Sequence, residues 1–457
     1  MHQFHDPELA KLAALAESLG AEMRSKAPAQ QSQQMAPGQL FRVPGMTAKP
    51  RFVEETGPCA EGTVITLNQG AAVQAPFQKF QTLDIDRGFF LELDFVTTFT
   101  AGSGKTLTVN PFSIASWVQV LQIQFESAYS TFRLPGVLAI IMQSYRSELA
   151  PKNMLSEYFQ SGANPNVGNA FAANWFDASE LGTSNLALNV TTAGTQQTYS
   201  VFLEIPVAMY FDLYWELSAS GQPTGPPTPR AIVSPQRMAA TTRNVTPKLT
   251  FAQGLTIEPG DLLQGGPVFA ASTDATSTFS GTVAATWFRD CWIPSQNPLT
   301  EPPNRQWQYS RDYIKWQTSG GGIVPVTLDD EVPGQGQILS LVFATWDPAL
   351  NSGIGGVTPR SSYATVELLY GSTVQIDQDT PKSNQYRWGV AHGAVLPVGW
   401  MGWDKMLTDD GRLTNENALN TYVLAGTQLR ITYNSGSAPG ASAYVLVGLE
   451  MLKKVGS

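Results

Sequence analysis

Charge, histidine and cysteine are all scarce in this sequence, and each scarcity excludes something. Only 14% of its 457 residues are charged, against about 25% in an average soluble domain. The balance is acidic, at −9. No run of five basic residues occurs, so the chain is not built to coat nucleic acid by itself, which needs clustered Lys and Arg. The three histidines are His2, His5 and His392. The first two lie at the N-terminus, so a Ser/His/Asp triad would have to use His392. It sits in the strand-like VAHGAV, with no nucleophile elbow nearby, and reads as a packed or interface side chain. Metal sites of the His/Cys kind fail for the same reason. Two cysteines, Cys59 and Cys291, make no disulfide framework, and a reduced compartment is the default expectation. No stretch approaches 18 apolar residues, so no membrane span is expected. The first 26 residues lack a basic segment followed by an apolar run, so they do not read as a secretory signal.

Aromatics, glycine and proline are plentiful. The chain has 22 Phe, 14 Tyr and 11 Trp, too many for a mainly disordered chain. With 40 Gly and 31 Pro, many turns and few long helices are expected. The length implies two or three ordinary domains, or two large all-β ones.

The clearest helix runs over residues 6–24. Asp6 can cap it, Pro7 suits its first position and Glu8 its positive end. Leu9, Leu12, Leu15 (or Ala16), Leu19 and Met23 then recur at helical spacing. An isolated helix of this length is marginal in water, so it should dock. It either packs on its own domain, or grips a neighbouring subunit or a lipid surface. Residues 27–50 read as a flexible connector.

From Phe52 onward the pattern becomes strand-like, rich in Val, Ile, Phe, Tyr and Thr. The expected strands in the first half are 62–68, 88–100, 107–112, 118–126, 198–217, 248–257 and 279–288. In GFFLELDFV, Phe90, Glu92 and Asp94 alternate with Phe89, Leu91, Leu93 and Phe95, which implies a sheet with one buried face. Residues 221–237, rich in proline, form a long loop with a functional or interface role. Residues 290–310 read as a boundary. Strands are then expected at 323–328, 336–347, 362–371, 387–403, 427–434 and 442–452, with a short helix at 415–424. No βαβ alternation occurs, which argues for antiparallel sandwiches. No residue-level repeat is visible, so any duplication is architectural.

Several motifs tempt and fail. Ala101–Thr106 (AGSGKT) looks like the end of a phosphate loop, but the required earlier glycine is Phe99 and the following LTVNPF is not a helix start. A hairpin turn is the plainer reading. Asp329-Asp330-Glu331 and Asp409-Asp410 sit in turn-like contexts, and Asp377 with Asp379 is a looser acidic pair. Trp400 and Trp403 could stack on sugars, or anchor a subunit contact. No catalytic residue, metal or cofactor is expected.

In its order of features the chain resembles the major capsid proteins of tectivirus-like phages, which are tailless and contain a membrane. A Gln- and Ala-rich arm with a short helix precedes the first strand. GFFLELDFVTTFTAGSGKTLTV takes the place of an early hairpin, and FLEIPVAMYFDLYW that of a strand running into a proline. RNVTPKLTFAQG resembles the strand that follows. LPVGWMGWDK and TQLRITYNSGSAPGASAYVLVGLEML resemble the closing strands. The resemblance implies an all-β double jelly roll: an arm at 1–50, a first roll at 51–297, and a linker with a second roll at 298–457. It further implies a homotrimer with pseudo-hexagonal edges, which tiles an icosahedral shell over an internal membrane. Neighbouring capsomers are the implied partners, together with possible vertex proteins and a membrane contact through the N-terminal helix. The implied location is the virion, assembled in the host cytoplasm. The loop 221–237 becomes a candidate tower or inter-subunit strap. The alternatives are a carbohydrate-binding or glycan-hydrolysing β-sandwich, and another phage structural protein such as a spike.

Overall fold

The computed structural model describes residues 48–54, 64–67, 73–74, 80–82, 85–100, 107–109, 118–125, 129–146, 160–161, 186–190, 195–216, 218, 222–233, 243–251, 278–294, 307–328, 336–350, 356–371, 373–392, 396, 399–408, 410–421 and 426–454. The first half opens with β1 (Ala48–Glu54), β2 (Val64–Leu67), β3 (Val73–Gln74), β4 (Phe80–Thr82), β5 (Ile85–Thr100), β6 (Leu107–Val109), β7 (Val118–Phe125) and β8 (Tyr129–Leu134). Helix α1 (Gly136–Arg146) follows. Then come β9 (Gln160–Ser161), β10 (Leu186–Val190), β11 (Thr195–Pro206), β12 (Met209–Tyr214), β13 (Thr228–Val233), β14 (Arg243–Phe251) and β15 (Thr278–Pro294). The second half holds β16 (Trp307–Gln317), β17 (Ile323–Thr327), β18 (Gly336–Asp347), β19 (Gly356–Val357), β20 (Tyr363–Tyr370) and β21 (Val374–Asp379). Helix α2 (Pro381–His392) separates these from β22 (Met401–Asp404), β23 (Leu419–Asn420), β24 (Thr427–Tyr433) and β25 (Tyr444–Lys454).

The pairing order shows the architecture. In the first half, β1, β15, β5 and β11 are neighbours in one sheet, and β3, β14, β7 and β8 in another. In the second half, β16, β25, β18 and β22 share one sheet, and β17, β24, β20 and β21 another. If the eight principal strands of each half are numbered along the chain, both halves pair 1-8-3-6 and 2-7-4-5. That is the order of a jelly roll, two Greek keys closed into a double-sheet sandwich. The duplication is therefore one of topology, as expected.

The two rolls are joined edge to edge. β8 of the first and β16 of the second pair in parallel at Phe132 and Arg311. One eleven-stranded sheet therefore runs through both halves. The second roll closes around an apolar core that includes Leu341, Phe343, Val366, Leu429, Ile431, Val447 and Leu449, all nearly or fully buried. In the first roll Phe89, Leu91 and Leu93 of β5 are fully buried, which fits the expected buried face.

Most expected strands are present, but four local readings need correction. Residues 198–217 are not one strand. Pro206 has no amide hydrogen to donate, and the chain breaks there into β11 and β12. Residues 387–403 are not a strand: 387–392 lie in α2, and β22 begins only at Met401. Thr380 and Ser383 form a reciprocal capping box, with each backbone N–H bonded to the other's hydroxyl (2.9 and 3.2 Å). Pro381 occupies the first helical turn, where its missing N–H costs nothing. Residues 415–421 form a turn and the short β23 rather than a helix. Of the stretch 290–310, β15 claims the start and β16 the end.

Candidate functional site

The most elaborate chemistry among the described residues lies where the two rolls meet. It begins with the alternation of β25. Val445, Val447, Leu449 and Met451 face the second roll's own core. The residues between them, Gly448, Glu450 and Leu452, face elements of the first roll. β18 behaves alike and is buried along its whole length. This sheet is thus covered on both faces, which explains why its strands read as nearly continuous apolar runs.

Helix α1 covers one part of that outer face. Pro135 starts it, its carbonyl accepting from Ala139 N (3.0 Å). Val137, Leu138, Ile141 and Met142 are all fully buried. A Cβ on Gly448 would lie 2.9 Å from Leu138 Cδ2, so the helix approaches β25 more closely than a side chain would allow. The last turn of α1 then delivers two polar side chains into the second roll. Tyr145 Oη lies 3.3 Å from Ser340 Oγ. Arg146 Nε donates to Glu450 Oε2 (2.9 Å) and its Nη2 to Asp404 Oδ1 (2.8 Å).

Glu450 is the hub. Besides Arg146 it accepts from Ser340 Oγ (2.7 Å), from Arg311 Nη2 (3.1 Å) and from the Tyr309 hydroxyl. Arg311 Nε also donates to Tyr309 Oη (2.8 Å). Two guanidiniums thus face two carboxylates, and all four side chains are at most 5% exposed. Burial pushes the Glu450 carboxyl up, but Arg146, Arg311 and the hydroxyl donors outweigh it and hold it below the usual glutamate range. Asp404 is likewise driven up by burial and then held low by Arg146 and by His392. Both acids are therefore ionised at neutral pH. Tyr145 is pushed up, chiefly by burial, and keeps its proton.

A second first-roll element reaches across beside it. The β12–β13 hairpin places Met209, Phe211, Tyr214 and Val233 against Trp307, Tyr309, Leu339, Met406 and Leu452. Its edge is clamped by the second roll: Asp212 N donates to Leu413 O (2.9 Å), and Leu413 N to Asp212 Oδ2 (2.9 Å). Asn415 brackets Trp215 through both its amide atoms (2.6 and 2.8 Å). The proline-rich loop is therefore, in part, a strap between the two rolls of one chain, with β13 as its returning strand.

The motif residues fall as follows. His392 ends α2, not a strand, and is buried, with Nε2 3.2 Å from Asp404 Oδ2. Its ring packs on Trp388 and Tyr145, so it belongs to the junction and to no triad. Trp400 and Trp403 are 1% and 4% exposed, and neither is open to a sugar. Trp403 stacks on Phe343 and donates Nε1 to Asp379 Oδ2 (3.0 Å). Asp377 pairs with Arg387 and Lys405 (3.1 and 2.6 Å), and Asp379 with Arg387 (3.0 Å). The two acids brace α2 through Arg387. Asp410 pairs with Arg412 in an exposed turn. β6, after the AGSGKT segment, pairs with β10 rather than β5, so the flanking strands do not form the expected hairpin. Leu9, Leu12, Leu15, Leu19 and Met23, the segment 101–106, Asp329–Glu331, Asp409 and Cys59 lie outside the described residues. Among the described residues no three His, Cys, Asp or Glu side chains are grouped to hold a metal ion.

Sequence reasoning missed α1 and the ionic hub. Glu450 alone in AYVLVGLEML was the available signal, since a lone acid inside an apolar strand needs a buried partner.

No family model and no curated protein matches the sequence. Solved structures do match. The crystal structure of the STIV (Sulfolobus Turreted Icosahedral Virus) MCP superposes with a TM-score of 0.50 at 11% identity, covering 88% of this chain and 97% of that one. A PBCV-1 virus capsid model gives 0.48 at 11% identity over 89% and 94%. The major capsid protein P2 from Bacteriophage PM2 gives 0.39 at 9% over 89% and 97%. Strand order and superposition on the first of these agree, and the chain has the double jelly-roll fold.

Proposed function

We propose that this chain is the major capsid protein of a tectivirus-like phage, tailless and membrane-containing. In this reading three copies form a capsomer with pseudo-hexagonal edges, and capsomers tile an icosahedral shell over an internal membrane. The observation that carries it is the fusion of two jelly rolls of identical strand order into one block with a buried, ion-paired seam. A brick that must keep its outline under assembly forces needs its halves fixed relative to one another. The rolls correspond to residues 51–297 and 298–457, preceded by an arm at 1–50. Leu9, Leu12, Leu15, Leu19 and Met23 form the arm's contact stripe, toward lipid or a neighbouring subunit. The protein works by assembly, without turnover, in the virion, after assembly in the host cytoplasm. The burial of Trp400 and Trp403 removes the main support for a carbohydrate-binding reading.

Size-exclusion chromatography with light scattering tests this first. The expected species has three times the 49.4 kDa of one chain, and micrographs of it should show hexagonal outlines. A clean monomer at micromolar concentration would overturn the reading. Deleting residues 1–26 should leave the folded trimer and impair particle formation.

A further inference from the structure

Among the described residues, β17 and β21 end the four-stranded sheet of the second roll, each with a partner strand on one side only. An open edge presents unpaired N–H and C=O groups, a template for a strand from another molecule. The edge formed by β21 is interrupted. Its register with β20 skips Ile376, a bulge, and it carries Asp377 and Asp379. β17 has neither device. Its sequence, IVPVT, contains no charge, and four of its five residues are β-branched. Its register with β24 runs unbroken from Ile323 to Thr327. Ile323 is 57% exposed. A strand of this composition and regularity invites the addition of another.

Hydrogen-bond parity fixes which backbone groups of β17 face outward. Tyr433 N donates to Gly322 O (2.8 Å), and Leu328 N to Thr427 O (2.9 Å). In an antiparallel pair, positions that exchange such bonds alternate with positions that do not. Positions 322, 324, 326 and 328 therefore turn their backbone groups to β24. Positions 323, 325 and 327 turn theirs to the open side. The middle one is Pro325, which has no N–H. Its side chain is exposed, while Val324 and Val326 fill the core. One residue earlier or later, a proline would delete a bond to β24. At 325 it deletes a donor from the free edge alone.

We propose that Pro325 keeps this edge closed, and that without it β17 accepts the β17 of a second copy as an antiparallel neighbour. The occupant follows from the parity. Two copies related by a two-fold axis present the same segment to each other. Position 325 then meets 325, and 323 meets 327, all in hydrogen-bonding positions. Two prolines at the centre delete both central bonds at once. Only 14% of the chain's residues are charged and β17 has no charge of its own. No local repulsion therefore holds two such strands apart, and the block comes from the backbone.

Pro325→Thr restores the donor with a residue suited to strands. Light scattering on the full chain, from low to high micromolar concentration, should show a constant mass for the wild type. The variant should rise reversibly to about twice that mass or more. The reference is the wild type's own mass, so the result does not depend on the capsomer reading. Hydrogen exchange locates the contact. In the wild type the amides of Ile323 and Thr327 should exchange fast, and those of Val324 and Val326 slowly. In the associated variant all four should be slow. A variant that keeps the wild-type mass would overturn the proposal, as would one that associates while 323 and 327 still exchange fast. Slow exchange at those two amides in the wild type would overturn it too, since the edge would already be paired. The variant should unfold at a temperature no lower than the wild type. A lower one would make Pro325 a support of the fold and not a guard of its edge, and would equally sink the proposal.

Discussion

Besides the β8–β16 edge, two first-roll elements meet the second roll, and their contacts differ in chemistry. The β12–β13 hairpin joins through apolar bulk, with Phe211, Met209 and Val233 against Trp307, Leu339 and Leu452. Helix α1 packs Leu138 on Gly448 but ends in charge, with Arg146 between Glu450 and Asp404. An apolar seam gains free energy roughly in proportion to buried area and tolerates small shifts in angle. A buried ionic seam gains little net stability, because desolvating the ions offsets much of their attraction. What it adds is directionality: a hub that accepts from Arg146, Arg311, Tyr309 and Ser340 is satisfied in one arrangement of α1, β16, β18 and β25. The hairpin holds the rolls together, and the helix fixes how they are held. Tyr309 belongs to both seams, its ring in the apolar cluster and its hydroxyl on Glu450.

The largest expected effect breaks the ionic seam at its hub. Glu450→Ala strips Arg146 and Arg311 of a shared carboxylate while both remain buried. Leaving buried charges uncompensated costs about 5 kcal/mol at the upper end of such truncations. Urea unfolding followed by tryptophan fluorescence should show that loss. A loss under about 1 kcal/mol would mean that water or a shifted side chain replaces the carboxylate, and that the seam does not fix the junction.

A smaller effect is expected at the apolar seam. Phe211→Ala removes a fully buried ring and should cost about 3 kcal/mol, the usual scale for such a cavity. Combined with Glu450→Ala, the two losses should fall short of additivity by about 1 kcal/mol, because Tyr309 spans both seams and contacts couple. Strict additivity would make the seams independent and weaken the division of labour between them.

The legibility of the sequence follows the same division. Strands with one buried face, such as β5, or with two, such as β18 and β25, announced themselves through alternation or through long apolar runs. Antiparallel sandwiches were therefore readable from the strand pattern, and the double jelly roll came only with the resemblance in the order of features. What crossed between rolls was not. GVLAIIMQ in α1 is apolar nearly throughout, with Val137, Leu138, Ile141 and Met142 all buried, and a short apolar run has no period to separate helix from strand. In α2 the cap signal Thr380-Pro381-Lys382-Ser383 was present, but the aromatics and valines of RWGVAHGAV suggested a strand. Trp400 and Trp403 look like exposed stacking residues in GWMGW, yet both are buried, and Trp403 belongs to the second roll's core. The ionic hub joins positions 146, 311, 404 and 450, and no local pattern links residues so far apart in the chain.

The smallest effect is one of pH, and it reports on the ionic seam without mutation of the apolar one. Glu450 is held below its ordinary range in the folded state, so the unfolded chain takes up a proton first, near pH 4.3. A depressed carboxylate contributes stability that is complete above that value and drains away as pH falls through the folded value. Each such group changes stability by at most about 1.4 kcal/mol per pH unit in that window. The groups facing it are Arg146 from α1, Tyr309 and Arg311 from β16, and Ser340 from β18. Asp404 from β22, depressed as well and beside His392 of α2, adds to the same acid slope. Between pH 5 and pH 3.5 the wild type should lose stability through Glu450, by no more than about 1 kcal/mol. Glu450→Gln, less stable at neutral pH, should show a shallower loss over that interval, whereas Phe211→Ala should keep the wild-type slope. Equal slopes for the glutamine variant and the wild type would mean that Glu450 binds its proton equally well folded and unfolded, and that the charge on α1's side of the junction is not held by this carboxylate.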